Sequence, residues 1–375
     1  MELVKRALVV GGGIAGTCTA IELRKRGVTV DLLELDKEWR VAGAGISLNG
    51  AALRALKTIG VVEEVLEQGA GSDEVKLCTA NGAVVGTLPT PRIAGPEIAG
   101  AAGILRSVLA GILSQATLRA GVTVRLGTTL QTVKQETDGK LLVRSSDDAE
   151  GRYDLVVGAD GMYSKVRSTY FPHAPTPRYT GQGSWRAVVP RDPETAGVSV
   201  FMGKATKVGV NPISSEEMYV FCLDHRTANE RIPEEHWRDL LTGLLMEFSG
   251  PMAKIREHIK GSSLVVYRPL ESLLLPPPWH HGAIVLVGDA AHATTPHLAA
   301  GAALGMEDAI VLVEELDKAS SIEAAATAYT KRRFERCRMV VENSLRLGEI
   351  EVAGVQSAEH AQIMRDSSVA LMAPI

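Results

Sequence analysis

Ala7-Leu-Val-Val10 runs straight into Gly11-Gly-Gly-Ile-Ala-Gly16 near the start of the chain. The four apolar residues predict a short buried strand, and a helical pattern follows until Lys25-Arg26-Gly27, where glycine ends it. A second strand is predicted from Val28 to Glu34. A strand, a glycine turn, a helix and a second strand form the repeating unit of doubly wound parallel sheets, so this stretch predicts an α/β fold.

The glycines Gly11, Gly13 and Gly16 have the spacing of a dinucleotide-binding turn. Glycine at these positions permits a tight turn, close approach of a diphosphate, and close packing of the helix on the strand. Glu34 follows 18 residues after the last glycine, where a carboxylate accepts hydrogen bonds from ribose hydroxyls and repels a 2′-phosphate. A purely structural turn is the alternative, but this context favours a dinucleotide, with FAD or NAD preferred over NADP.

Two further segments place polar residues at the ends of predicted strands. Asp154-Leu-Val-Val-Gly-Ala-Asp160-Gly161 continues to Ser164 and Arg167, and Ile284-Val-Leu-Val-Gly288-Asp289 continues through His292 and Pro296 to Gly301. The glycine at the end of the second segment opens a predicted helix at 303–317. Three strand-end sites in one chain indicate an extended cofactor.

The remaining pattern predicts how the chain is organised. Helices are predicted near 50–68, 105–120, 234–258 and 322–349, and strands near 122–126, 130–136, 140–145 and 153–158. From about Arg178 to Arg268 short β-rich runs replace this α/β pattern, which returns at Gly282. The predicted domains are therefore a discontinuous dinucleotide-binding domain (1–75, 100–177 and 268–350), a substrate-binding β-sheet domain (76–99 and 178–267), and a C-terminal tail or helix (351–375).

Composition and charge exclude several classes of function. The chain has 40 basic and 44 acidic residues, and no Lys/Arg run predicts binding of nucleic acid. Its four cysteines are too scattered for a C-x-x-C redox pair or a close pair of metal ligands. His292 and His297 lie in a loop without the pattern of a metal site, so we expect no metal. No apolar stretch is long enough to cross a bilayer, and we expect a cytoplasmic protein.

Together the three motifs resemble those of the para-hydroxybenzoate hydroxylase-like family of FAD-dependent aromatic monooxygenases, with the layout of urate and salicylate hydroxylases. The resemblance runs from Val9 to about Arg346. It implies a Rossmann-like, doubly wound FAD-binding domain with an inserted, mostly antiparallel β-sheet substrate domain and C-terminal helices. One departure is Ala299-Ala300-Gly301, where many members have Gly-Gln-Gly, so a role for that Gln side chain cannot be transferred.

The resemblance also implies which residues bind the cofactor. The first motif would hold the ADP part of FAD, the Asp-Gly segment would support FAD and nicotinamide use, and the Gly-Asp carboxylate would bind the ribityl or ribose chain. A helix N-terminus after Gly301 would independently favour negative charge on the flavin. The implied cofactor contacts are Gly11, Gly13, Ile14, Ala15, Gly16, Glu34, Leu35, Gly45, Arg106, Asp160, Gly161, Asp289, Pro296, Gly301 and Ala302.

Substrate contacts are expected from the inserted sheet and the Pro296 loop. By resemblance, Lys207 and Tyr219 are the basic residue and the tyrosine on adjacent strands, with Pro296 and His297 nearby in the pocket. A packed core tyrosine and a solvated lysine are equally ordinary readings of these two residues. Arg186 is a third candidate for the substrate site.

The predicted activity is hydroxylation of a phenolic or heteroaromatic ring through a flavin hydroperoxide, with NADH or NADPH and O2 as co-substrates. The expected partner is a small aromatic molecule, and the expected assembly is a monomer or homodimer. An FAD oxidase or dehydrogenase acting on an amine or alcohol is the alternative enzyme class. A non-catalytic dinucleotide-binding module is the third possibility, and the complete set of motifs speaks against it.

Overall fold

The computed structural model describes residues 1–40, 43–192, 197–203, 206–262, 264–354 and 358–375. The elements up to residue 170 are β1 (Arg6–Val10), α1 (Ile14–Lys25), β2 (Thr29–Glu34), β3 (Gly45–Leu48), α2 (Gly50–Ile59), α3 (Val62–Gln68), β4 (Ala70–Ser72), β5 (Glu74–Thr79), β6 (Val84–Pro89), β7 (Ala101–Leu105), α4 (Arg106–Arg119), β8 (Thr123–Leu126), β9 (Leu130–Gln135), β10 (Leu141–Ser145), β11 (Glu150–Tyr153), β12 (Leu155–Gly158) and α5 (Lys165–Tyr170). The later elements are β13 (Arg178–Pro190), β14 (Val198–Met202), β15 (Lys207–Pro212), β16 (Glu217–His225), α6 (Trp237–Leu244), α7 (Pro251–Gly261), β17 (Val265–Ser272), β18 (His280–His281), β19 (Ile284–Leu286), α8 (Asp289–His292), α9 (Gly301–Lys318), α10 (Ile322–Val352) and α11 (Ala358–Met372).

The main sheet has six strands in the order β18-β19-β12-β1-β2-β8. All neighbours are parallel except β18, which runs antiparallel to β19. Strand β1 is apolar and buried from Ala7 to Val10, as expected for a strand covered on both faces. Helices α1 and α9 pack against each other beside this sheet, so the predicted strand, turn and helix lie at the centre of the fold.

A second sheet has seven strands in the order β17-β13-β16-β15-β14-β5-β6. It is antiparallel except for the β14–β5 pair. One face carries Trp185, Val208, Val220 and Cys222 and packs with residues of α6 and α7 into a separate apolar core. The other face carries the residues between these positions, and side-chain contacts described below join it to β3 and α10.

These observations confirm the predicted α/β class with an added, mostly antiparallel sheet. The segment predicted as one helix at 50–68 is two helices, because Gly60 has φ +88° and ends α2. The second sheet combines Glu74–Pro89 with Arg178–Ser272, while the proposed division into domains stays a prediction. Within the described ranges, no helix combines the length and apolar character required to span a membrane.

Candidate active site

The three motifs lie side by side at one edge of the main sheet. Strands β19, β12, β1 and β2 are parallel neighbours, so their carboxyl ends share this edge. A Cβ atom added to Gly11 would overlap the carbonyl oxygen of Ala159, and one added to Gly288 would lie 2.8 Å from the Cβ of Ala15. The motifs are therefore in contact with one another, at the position where doubly wound sheets bind their ligands.

The glycines of the first motif have different structural roles. Gly11 has φ +104°, and a Cβ atom on Gly16 would overlap the carbonyl oxygen of Gly11. Gly13 precedes α1 with an ordinary φ of −74°, and no atom lies within 4 Å of the position its Cβ would take. Among the described residues, no side chain caps the N-terminus of α1. Gly13 therefore borders open space in front of free backbone N–H groups, which is an arrangement that binds phosphate.

Glu34 lies beside this turn at the end of β2. Its carboxylate accepts hydrogen bonds from the backbone N–H groups of Gly12 and Asp36, each at 2.7 Å. The Trp39 indole donates to the carbonyl of Gly12 at 2.9 Å, which fixes the turn from the other side. Leu35 follows with 66% of its surface exposed, so an apolar side chain is available next to the carboxylate. The group resembles a site for the ribose and base of a nucleotide.

Asp160 and Ser164 cap the short helix α5. The Asp160 carboxylate accepts hydrogen bonds from the Ser164 hydroxyl at 2.5 Å and from the N–H of Lys165 at 2.8 Å. Arg167 is buried and donates to the carbonyls of Ala290 at 2.9 Å and Met162 at 2.7 Å, which joins the second motif to the third. The Asp160 side chain therefore organises the loop, and its role toward FAD or nicotinamide stays a prediction.

Asp289 and Arg106 carry opposite charges and lie close enough to influence each other. The Asp289 side chain is accessible to solvent but has protein around it, so desolvation raises the pKa of its carboxyl, while His292 and Arg106 act against that rise. Arg106 begins α4, and its Nε is buried without a hydrogen-bond partner in the described part of the chain. A Cβ atom on Gly43, which has φ +133°, would lie 3.2 Å from the Arg106 side chain. The unpaired Nε–H of Arg106 is therefore available to donate a hydrogen bond to a bound ligand.

The Pro296 loop leads into α9. A short 3-10 turn covers Pro296–Leu298, and Ala299 then adopts a left-handed conformation with φ +49°. Helix α9 begins at Gly301 without a side-chain cap or an acidic residue in its first turn. Its free N–H groups therefore leave a partial positive charge near the loop.

These features fit a bound dinucleotide such as FAD. The uncapped N-termini of α1 and α9 offer donors at two separate places, and the open space at Gly13 admits a diphosphate. Arg106 Nε, which has no partner among the described residues, and the accessible Asp289 carboxylate add one donor and one acceptor.

The predicted substrate residues share one face of the second sheet. In the β-sheet register, Lys207 pairs with Leu223 and Asn211 with Tyr219, while Arg186 on β13 pairs with Phe221. Because side chains alternate along a strand, these residues lie on the face opposite the α6–α7 core. The structure therefore brings Lys207, Tyr219 and Arg186 to the side of the sheet that faces β3 and α10.

Tyr219 lies against strand β3. Its ring packs on Gly45 so closely that a Cβ atom on that glycine would overlap the ring. The Tyr219 hydroxyl is hydrogen-bonded to Ser47, whose Oγ also accepts from the Asn211 amide at 2.9 Å. Burial raises the pKa of Tyr219, so its hydroxyl stays protonated at neutral pH.

The two basic candidates differ in their surroundings. Lys207 forms an ion pair with Glu351 of α10, whose carboxylate also lies 3.4 Å from His297 Nε2 and 3.1 Å from His360 Nε2. Arg186 has no hydrogen bond or ion pair within the ranges that the structure describes, and burial lowers its pKa. Of these two candidates, Arg186 is the one available to an anionic ligand.

A buried ionic network supports the loop from behind. Burial alone would lower the pKa of His292, but the Asp308 carboxylate at 2.5 Å raises it well above its ordinary value. Asp308 also binds Arg333 and accepts from the N–H of Gly288 at 2.8 Å. Asp308, His292 and Cys337 are close enough together to hold a metal ion, but Arg333 already binds the carboxylate and approaches the thiol at 3.7 Å. The group is therefore an ion-pair network that anchors the third motif.

Sequence reasoning missed several residues of this region. Neither Ser47 nor Asn211 belongs to a recognisable motif. Asn211 could still have been predicted, because it lies two and four residues after Gly209 and Lys207 and therefore on the same strand face. Glu351 lies 144 residues from Lys207 in sequence, and Trp39 follows the nucleotide strand without any pattern that predicts its contact. Only the folded chain brings these residues to the site.

Comparison with known proteins gives one family and relatives along nearly the whole chain. The family model described as FAD binding domain matches residues 5–344. The aurachin C monooxygenase/isomerase of Stigmatella aurantiaca is 32% identical over 92% of this chain and 88% of its own length. The 3-hydroxybenzoate 6-hydroxylase of Klebsiella oxytoca is 28% identical over 95% and 91%. The crystal structure of Klebsiella pneumoniae HpxO with FAD and uric acid superposes with a TM-score of 0.82 and 22% identity, covering 98% of this chain and 92% of that one.

Proposed function

The chain belongs to the FAD binding domain family and is an FAD-dependent monooxygenase, and from this premise we propose that it hydroxylates a phenolic or heteroaromatic ring with NADH or NADPH and O2. One relative is named as a monooxygenase and another as the hydroxylase of a phenolic acid, which supports the proposed substrate class. An oxidase or dehydrogenase acting on an amine or alcohol is not favoured, because neither relative carries such an activity in its name. We further propose a monomer or homodimer in the cytoplasm.

The site residues have proposed roles toward FAD. The free N-terminus of α1 beside Gly13 would hold the diphosphate, Glu34 the ribose of the ADP part, and Asp289 the ribityl chain. Bound FAD would supply the redox and oxygen-transfer chemistry of the reaction. The free N–H groups of α9 would stabilise negative charge at its pyrimidine edge.

Arg186 is the observation that carries the proposed substrate class. The Arg186 guanidinium is half-buried and has no partner among the described residues, which is unfavourable unless a ligand supplies the opposite charge. An ionised phenol supplies that charge at the oxygen and is more electron-rich than the neutral ring, which favours attack by the ring carbon. We therefore assign Arg186 to binding the phenolate or an acidic substituent of the substrate, and to favouring the ionised form.

Tyr219 would orient the same ring. Its hydroxyl stays protonated and is held by Ser47 and Asn211, so it can donate a hydrogen bond to a ring oxygen in a fixed direction. Lys207 would act less directly, because Glu351 already neutralises it. Pro296 and His297 would close the pocket from the side of the loop, excluding water from the reacting ring.

The activity is tested with the purified, FAD-loaded protein and a panel of phenols, hydroxypyridines and purines. NAD(P)H oxidation is followed together with incorporation of labelled oxygen into the ring. The proposal expects at least one member to stimulate NAD(P)H oxidation and to gain one oxygen atom. If every member that stimulates oxidation yields only hydrogen peroxide and no oxygenated ring, the proposed hydroxylation is wrong.

The role of Arg186 is tested with Arg186→Met and a matched change at the exposed Arg268 of the same sheet. Loss of a hydrogen bond to a charged group costs about 1.5–3 kcal/mol, which corresponds to a roughly 10- to 150-fold fall in kcat/KM for anionic substrates. FAD content and activity toward a neutral ring should change much less, and Arg268→Met should leave all three unchanged. An equal fall for neutral and anionic rings would remove Arg186 from substrate binding.

A further inference from the structure

A cavity of about 250 Å³ lies behind the Pro296 loop, between the start of β13, the loop itself and the middle of α10. Gln182 from β13, His297 from the loop and Ser344 from α10 line it. All three residues are buried, with 3%, 8% and 0% of their surfaces exposed. Elements far apart in sequence thus enclose a space that is smaller than the usual site for a drug-sized ligand.

The walls of this cavity carry polar atoms without partners. Gln182 Oε1 and Ser344 Oγ make no hydrogen bond to any described residue. His297 Nε2 lies 3.4 Å from Glu351 but outside hydrogen-bond geometry, while its Nδ1 is 2.9 Å from the Thr295 hydroxyl. Buried polar atoms are almost always satisfied by protein, water or ligand, so three such atoms in one cavity require a polar occupant.

The charges around the cavity define the occupant further. Burial lowers the pKa of His297, so the imidazole is neutral near pH 7, and the Gln182 and Ser344 side chains carry no charge. Arg178 and Glu349 at the exposed rim have opposite signs. The described lining residues therefore carry no net charge that would attract an ion, and the unpaired atoms would be satisfied by a donor and an acceptor in the same small group.

Gly348 provides the space for this occupant. A Cβ atom at this position of α10 would lie 2.6 Å from Gln182 Oε1 and 3.1 Å from His297 Cε1. Any larger residue would push the Gln182 amide or the imidazole into the cavity. Because Gly348 lies inside a 31-residue helix, where glycine costs about 1 kcal/mol relative to alanine, its presence agrees with a need for open space.

We propose that this cavity is a binding site for an uncharged amide- or lactam-type group, which donates to Gln182 Oε1 and accepts from the Ser344 hydroxyl. The group can belong to a free small molecule or to the far end of an extended ring substrate. In either case its occupant touches His297 and Thr295, the two neighbours of Pro296, and therefore contacts the loop that leads to the N-terminus of α9.

The test uses the FAD-loaded protein and saturation-transfer NMR with 2-piperidone, a lactam with one N–H donor and one carbonyl acceptor. N-methyl-2-piperidone, which lacks the donor, should give at least fivefold weaker saturation transfer. Gly348→Ala should reduce binding of 2-piperidone at least tenfold, while Gly111→Ala should not, because no atom lies within 4 Å of the Cβ position at Gly111. Ser344→Ala removes a hydroxyl without adding volume and should weaken binding even where Gly348→Ala fails to fold.

Equal binding of the two lactams would overturn the proposal, and so would unchanged binding to both Gly348→Ala and Ser344→Ala. A crystal structure of the soaked protein with only water in the cavity would also overturn it. Binding does not require turnover, so a failure here is separate from a failure of the proposed hydroxylation. Once a ring substrate is known, competition by 2-piperidone against it assigns the site to the substrate's far end, and an unchanged KM assigns it to a separate molecule.

Discussion

Gly13 and Gly16 lie three residues apart in the same turn, but replacing each with alanine should have different effects. We expect Gly16→Ala to lower the stability of the protein and Gly13→Ala to weaken binding of FAD. A Cβ atom at residue 16 would overlap the backbone oxygen of Gly11, which cannot move without distorting the turn. At residue 13 the backbone has φ −74° and no atom lies within 4 Å of the new methyl group. Gly16 is therefore required for the turn to fold, whereas Gly13 leaves room for the ligand.

The magnitudes follow from these contacts. Forcing a methyl group into packed backbone costs about 1–3 kcal/mol or more, so Gly16→Ala should strongly lower the stability of the FAD-free protein. Gly13→Ala should change that stability by less than about 1 kcal/mol, since an alanine is tolerated at this φ and only the N-cap preference changes. The same methyl group would keep a diphosphate from the N–H groups of α1. Losing one hydrogen bond to a charged group costs about 1.5–3 kcal/mol, or roughly a 10- to 150-fold rise in the Kd of FAD.

The assay combines urea denaturation of both FAD-free variants with titration of FAD, followed by quenching of flavin fluorescence. Gly111→Ala is the control, because that helix glycine has the same open surroundings but lies away from the three motifs. FAD binding by Gly13→Ala as tight as that of the unchanged chain would remove Gly13 from the diphosphate site. Equal destabilisation of FAD-free Gly13→Ala and Gly16→Ala would show that both glycines are needed for the fold of the turn.

Three further predictions concern stability. Ala299→Gly should raise the free energy of unfolding by about 0.5–1 kcal/mol in urea denaturation, because a left-handed φ of +49° costs alanine about 1–2 kcal/mol and the flexibility of glycine offsets part of that gain. Arg333→Met should lower it by about 3–5 kcal/mol by leaving two carboxylates of α9 buried, whereas Arg338→Met, exposed on the same helix, should change it by less than about 0.5 kcal/mol. Burial opposes ionisation of Glu351, but contacts with His297 and His360 and the charge of Lys207 lower its pKa overall, so its stabilising contribution is complete above about pH 4.5 and is lost as the pH falls through the lowered value. In Glu351→Gln the free energy of unfolding should accordingly fall less steeply below pH 4.5 than in the unchanged chain. An unchanged pH dependence below pH 4.5 would contradict this.

The nucleotide edge could be predicted from sequence because its determinants are local. Strand β1 reads as four apolar residues, and the turn after it needs glycine at Gly11 and Gly16 for backbone reasons alone. Parallel strands then place every strand end of this unit at the same edge, so the positions of Asp160 and Asp289 follow once the strands are recognised. Local pattern and sheet topology together therefore gave most of the fold and the approximate place of the cofactor.

The substrate side could not be predicted in the same way because its contacts are distant in sequence. The pairing of Lys207 with Glu351 depends on how α10 packs against the second sheet, and no periodicity records that packing. The resemblance pointed to Lys207 as the basic residue that meets the substrate; the fold pairs this lysine with Glu351 and leaves Arg186 without a partner among the described residues. The left-handed conformation of Ala299 could not be predicted either, because alanine rarely adopts it, whereas glycine adopts it readily.

The contact between α1 and α9 explains why the two ends of the site belong together. Cβ atoms added to Gly288 and Gly305 would lie 2.8 Å and 3.1 Å from the Cβ of Ala15, so small residues let the third strand end and α9 approach α1 closely. Both helices present uncapped N-termini. Because close-packed backbone elements cannot slide independently, the donors beside Gly13 and those at Gly301 stay at a fixed separation. An extended dinucleotide gains most from such spacing, since a rigid site binds both of its ends without the entropic cost of ordering the protein.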